Sequence, residues 1–111
     1  MKVIIKSTNI DIPSTIREYI DSRVSSIEKL LIDKEKAVAQ IRIEIGRPSK
    51  HHRKGEVHYA EINLSVGNTL FRSAVEHERV RPALDEARDD IKGQLRRYKT
   101  KQRSRRRKNK T

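Results

Sequence analysis

The sequence predicts an α+β domain of order β-α-β-β-β-α: one four-stranded mixed sheet, two helices packed on one of its faces, and a disordered basic C-terminal tail. Three observations carry that expectation. Apolar residues recur at helical spacing over residues 16–31 and again over 80–98. Between these stretches the chain alternates apolar and polar residues, as half-buried strands do. The alternation is broken at Gly67-Asn68, a two-residue hairpin signal.

Residues 2–6 read as a short strand, with Val3 and Ile5 on one face and Ile4 on the other. Pro13 and Ser14 mark a helix start, with Asp11 or Ser14 as the candidate cap. Ile16, Ile20, Val24, Ile27 and Leu31 then form one stripe. Arg17 and Arg23 flank the stripe on opposite sides, and Lys29 points away from it. Residues 33–36 are a polar break. Residues 37–46 alternate, with Ala39, Ile41, Ile43 and Ile45 inward. A strand, a helix and a second strand imply a crossover with the two strands parallel.

Residues 47–55 form a basic loop punctuated by Pro48 and Gly55. Its adjacent His51 and His52 have no third metal ligand nearby in sequence, so phosphate contact is the reading preferred for this loop. Residues 56–66 alternate again. A turn at Gly67-Asn68 sets Leu64 opposite Phe71, Ile62 opposite Ser73 and His58 opposite His77. The second helical stripe is Val80, Leu84, Ala87, Ile91, Leu95 and Tyr98, with Gly93 inside it at a cost of about 1 kcal/mol relative to Ala. Asp85, Glu86, Asp89 and Asp90 are placed on the solvent side, where they complement the helix macrodipole.

At 111 residues the chain supports one domain, expected over residues 1–100, with residues 101–111 as the tail. The chain has no Cys, so no disulfide or thiolate chemistry. No apolar run approaches the roughly 20 residues of a membrane span, and the start is too short and polar for a secretory signal; a cytoplasmic location is expected.

Charge is the strongest functional signal. Residues 1–90 hold 16 Lys/Arg against 15 Asp/Glu, whereas residues 91–111 hold 11 Lys/Arg and no acid. Nearly all of the +12 net charge therefore sits on the end of one helix and its tail, which calls for a polyanionic partner. A membrane-surface helix would carry bulky apolar residues there, and none follows Tyr98, so nucleic acid is the better match. Arg81, Arg88, Lys92 and Lys99 share one flank of the helical stripe and are candidate phosphate contacts. Arg96 and Arg97 join them, followed by Lys101, Arg103, Arg105, Arg106 and Arg107 in the tail. No catalytic constellation is visible: the four glycines are isolated and no nucleophile motif occurs. Neither an enzyme activity, a cofactor nor a small-molecule substrate is expected.

The ordered set IDIPSTIREYIDSRVSSIEKLL, GEVHYAEI and PALDEARDDIKGQLRRYKTK resembles the ribosome hibernation-promoting factors, also called ribosome-associated inhibitor A or sigma-54 modulation proteins. The resemblance covers about residues 1–101 and fits the short form, which lacks a dimerisation domain. Family positions fall on Ile16-Arg17, Arg23 and Lys29 in the first helix, and on Ala83-Leu84, Gln94-Leu95, Arg97 and Lys101 in the second. Asp90 stands where relatives often carry Lys, Gly93 where they often carry Arg, and Arg81 where an aromatic is usual. The resemblance implies a monomer off the ribosome that binds 16S rRNA of the small subunit near the decoding centre. It would block the mRNA and tRNA path and store ribosomes inactive under stress. A general RNA- or DNA-binding module and a ribosome assembly or structural component are the alternatives.

Overall fold

The computed structural model describes residues 1–48 and 57–108. The alternating segments form β1 (Lys2–Thr8), β2 (Ala39–Gly46), β3 (His58–Val66) and β4 (Thr69–His77) in one sheet of order β1-β2-β3-β4. β1 pairs parallel with β2, and β2, β3 and β4 pair antiparallel. The helices are α1 (Ser14–Glu28), a one-turn α2 (Asp33–Lys36) and α3 (Val80–Lys108). The mixed sheet with helices on it is the predicted architecture, including Leu64 opposite Phe71 and His58 opposite His77.

The register follows from burial. Ile41, Ile43, Ile45, Ala60, Ile62 and Leu64 are 0–1% exposed and share the face that the helices cover. A slip of one residue would send all of them to the open face. Gly67 turns the hairpin at φ 59, a left-handed conformation that costs glycine nothing. Gly46 has a different reason to lack a side chain: a Cβ there would come 2.4 Å from the carbonyl oxygen of Thr8, under the Tyr59 ring.

Three local expectations change. α1 begins after Pro13 with no side-chain cap, so neither Asp11 nor Ser14 caps it. The polar break at residues 33–36 folds as α2, whose Glu35 carboxylate accepts the Ile32 N–H at 3.0 Å. The helix predicted to end near residue 100 runs to Lys108, because no Gly or Pro follows Gly93 and Lys, Arg and Gln are strong helix formers. The basic loop with His51 and His52 lies outside the described residues beyond Pro48, as do residues 109–111.

Two polar clamps fix α3, one against α1 and one against α2 and the turn that precedes it. Helical phase alone places Asp85 on the solvent side; in the folded chain it is instead the hub of the first clamp. It accepts hydrogen bonds from the Tyr19 hydroxyl at 2.6 Å and from Arg23 Nε at 2.7 Å. The Arg23 guanidinium also lies 3.7 Å from the Tyr19 ring centroid, and that of Arg81 lies 5.2 Å from it. At the other end, Lys99 Nζ donates to the Leu30 carbonyl and to Glu35 at 2.8 Å. Burial works against both carboxylates, but their hydrogen-bond donors and cations outweigh it. Asp85 and Glu35 therefore titrate below the usual carboxylate range. Burial and the bond to Asp85 push the Tyr19 phenol up.

Ile91 and Leu84 are 0% exposed in the α3 stripe. Ile91→Ala or Leu84→Ala should cost about 2–5 kcal/mol, read from the denaturant midpoint; an unchanged midpoint would contradict the packing. Because the Asp85 and Glu35 carboxyls are depressed on folding, the stability they contribute is present above about pH 4 and lost as pH falls through the depressed values. Combining Asp85→Ala with Glu35→Ala should therefore reduce the loss of stability between about pH 6 and about pH 3 relative to the parent. Parallel pH profiles for parent and variant would refute the clamp.

Candidate nucleic-acid interface

The interface is built on α3, whose 29 residues span about 43 Å. Ala83, Leu84, Ala87, Ile91 and Leu95 are buried, and Tyr98 packs edge-to-face on Phe71 with ring centroids 5.4 Å apart. Beyond Tyr98 no α3 residue joins the core. The rest of the helix projects, which accounts for an elongated molecule of 60 × 26 × 19 Å. The core thus fixes the helix by its first part and leaves the most basic part to solvent.

The structure sorts the predicted cations into two groups. The first is engaged within the protein. Arg23 is bound to Asp85, Lys99 to Glu35 and Leu30, and Arg88 to Asp89 at 2.8 Å with Asp85 at 4.0 Å. Arg81 stands over Tyr19. Arg23 is held in its charged form first by the hydrogen bond to Asp85. A phosphate reaching these groups must share or displace an existing partner.

The second group has no ion-pair or hydrogen-bond partner for its charged end among the described residues. It comprises Arg17 on α1, Lys29 at the α1 C-cap, half-buried Lys92, and the exposed Arg96 and Arg97. Lys101, Arg103, Arg105, Arg106 and Arg107 continue it along the projecting helix. Lys92, Arg96 and Arg103, at spacings of four and seven, fall on the α3 flank that carries Asp85 and Lys99 of the two clamps. Lys29, Arg96 and Arg103 line one cleft of about 540 Å³ whose floor includes Leu30 and Leu95. Arg17 is not part of this arrangement, because its helical phase places it on the α1 flank opposite Arg23. Lys34, also without a partner among the described residues, is not singled out by the sequence, because the alternating DKEK segment gives no positive signal.

The described residues include no group of three His, Cys, Asp or Glu side chains able to hold a metal ion. Among them, no helix is long and apolar enough to cross a membrane. His58 and His77 pair at the sheet end as predicted. The Nδ1 of His58 lies 2.9 Å from the Glu78 carbonyl oxygen, and that of His77 accepts the Arg79 N–H at 3.2 Å. What the surface offers is a row of cations at fixed helical spacing.

Solved structures share this fold. The N-terminal domain of Protein Y from Thermus thermophilus matches with a TM-score of 0.71 at 21% identity, over 88% of this chain and 99% of that one. A ribosomal subunit interface protein from Coxiella burnetii matches with a TM-score of 0.71 at 16% identity, over 90% of this chain and 99% of that one. No curated protein matches the chain. Residues 3–103 match the family described as sigma 54 modulation protein / S30EA ribosomal protein, and the chain belongs to that family.

Proposed function

We propose that this protein is a ribosome-binding translation inhibitor. It seats on the small subunit against 16S rRNA and occupies the path of mRNA and tRNA. The observation that carries this reading is the concentration of cations on the second part of α3, from Arg96 to Arg107 mostly without an internal partner among the described residues, in a member of a ribosomal protein family. The Coxiella burnetii neighbour's description as a ribosomal subunit interface protein supports it. Phosphates are the natural ligands for such a row, because each contact releases condensed counterions and needs no base identity. The mechanism is steric: a protein held across the decoding path excludes the other ligands without chemistry. It acts in the cytoplasm as a monomer, when stress calls for idle ribosomes.

Within this mechanism the two parts of the basic surface have different tasks. Lys29, Lys92 and Arg96 sit on helices held by the core and clamps, so their charges keep fixed spacing and set placement. Residues 101–108 stand off the core, and with the last three residues of the chain they supply mainly electrostatic affinity. The family's description as a ribosomal protein favours one other reading, a constant component of the subunit. Sucrose-gradient sedimentation of extracts separates the two: an inhibitor joins ribosomes when growth stops, and a component is present in constant stoichiometry.

Removing residues 101–111 should weaken binding and lower its log–log salt slope by about 0.7–0.9 for each phosphate the shorter chain no longer neutralises. Inhibition of cell-free translation should return at higher protein concentration. Combining Lys29→Glu, Lys92→Glu and Arg96→Glu should abolish inhibition while RNA binding through the projecting helix persists. A triple variant that inhibits as well as the parent, beside a truncated chain that inhibits at no concentration, would reverse the assigned roles.

A further inference from the structure

The end of the molecule from which α3 projects carries a groove of about 400 Å³ between the start of β2 and the projecting helix. Its lining is partly apolar, with Ile32, Val38, Val66 and Tyr98, and its basic part includes Lys34, Arg103 and Arg106. Ile32 is 61% and Val38 59% exposed. Ile32 and Val38 are two of the four large hydrophobic side chains exposed among the described residues, and both line this groove beside Lys34, Arg103 and Arg106.

RNA does not account for this combination. A base stacks on an aromatic ring or a guanidinium plane; the one ring here, Tyr98, is already in edge-to-face contact with Phe71, and stacking on Arg103 or Arg106 would leave Ile32 and Val38 uncovered. Its hydroxyl also receives hydrogen bonds from Thr69 and Gln102. Phosphate and ribose gain little from covering Ile32 or Val38. An aliphatic or aromatic side chain laid over either one gains roughly tenfold in affinity.

We propose that this groove is a docking site for an acidic protein segment with apolar anchors. The anchors cover Ile32 and Val38, and the carboxylates meet Lys34, Arg103 and Arg106. The chemistry is complementary on both counts: three cations lacking an internal partner among the described residues surround an aliphatic floor. Glu35, also in the lining, does not repel the segment with a free charge, because Lys99 neutralises it at 2.8 Å. The site is separate from the rRNA reading, since it requires two aliphatic side chains that phosphates do not use. Arg103 and Arg106 belong to both surfaces, so an acidic segment in the groove takes those two cations from RNA.

The test uses the full chain and a synthetic helical peptide with carboxylates on one face and leucines at helical spacing on the other. Comparison ligands are the same peptide with serines for leucines, and a single-stranded oligouridylate. Amide shifts in an NMR titration at physiological salt should map the leucine peptide to Ile32, Val38 and Gly67. The serine peptide should bind at least about tenfold more weakly. Combining Ile32→Ser with Val38→Ser should weaken the leucine peptide by a similar factor and leave oligouridylate affinity unchanged. Both positions are exposed, and serine is a favoured residue at the α2 N-cap that Ile32 occupies, so the variant keeps its thermal midpoint. The unsubstituted chain's shift map tests the site independently of any variant. The proposal is overturned if the serine peptide binds as tightly as the leucine peptide, if oligouridylate shifts the same residues and loses affinity in the variant, or if the leucine peptide does not bind.

Discussion

Burial of the α3 stripe against β3 and β4 is the constraint on which the rest depends. Leu84, Ala87, Ile91 and Leu95 are 0–1% exposed, and each fully buried Leu or Ile contributes about 1.5–3 kcal/mol. That burial holds a helix whose later part has nothing apolar to hold it. Beyond Tyr98, like charges oppose one another at Lys101 and Arg105 and at Arg103 and Arg107, each pair four residues apart. Helix propensity, the favourable match of cations to the C-terminal macrodipole, and continuity with the anchored turns act the other way. The projecting part is thus a helix by extension from the core.

The clamps show how a very basic protein separates cations that build from cations that bind. The acidic residues of α3 stop at Asp90, and one of them, with one from α2, is used where helices meet. Asp85 joins Tyr19 and Arg23, and Glu35 joins Lys99. Each pair is partly exposed, so its net contribution is modest, on the order of 0.2–1 kcal/mol. Its larger effect is geometric, because the pairs set the position of α3 relative to α1 and α2. The absence of acids after Asp90 then leaves the remaining cations of the helix few internal partners.

The strand register and both apolar stripes were legible in the sequence, because each rests on a local period and a turn signal that agree. Leu64 opposite Phe71 follows from Gly67-Asn68 alone once the alternation is accepted. The clamps were not legible. Tyr19 and Asp85 lie 66 residues apart, and Lys99 and Glu35 lie 64 apart, so only the packed helices reveal that they meet. Helical phase puts Asp85 on the border of the stripe, where solvent and a neighbouring helix look alike from sequence. The same limit affects the basic residues: Arg88, Lys92 and Lys99 look equivalent along one flank, yet the structure gives Arg88 and Lys99 internal partners and gives Lys92 none among the described residues.

The projection of α3 also separates the molecule's centre of charge from its centre of mass. With a near-neutral body at one end and 11 cations within the last 21 residues, the protein has a large electric dipole along its 60 Å axis. In the field of a polyanion such a body experiences torque as well as attraction, and it turns basic end first before contact. Orientation that a uniformly charged protein must find by repeated collision is here largely selected during diffusion, at distances up to about the Debye length of 8 Å in physiological salt. The geometry of one helix therefore acts on how quickly a productive encounter forms, independently of how tightly the final complex holds.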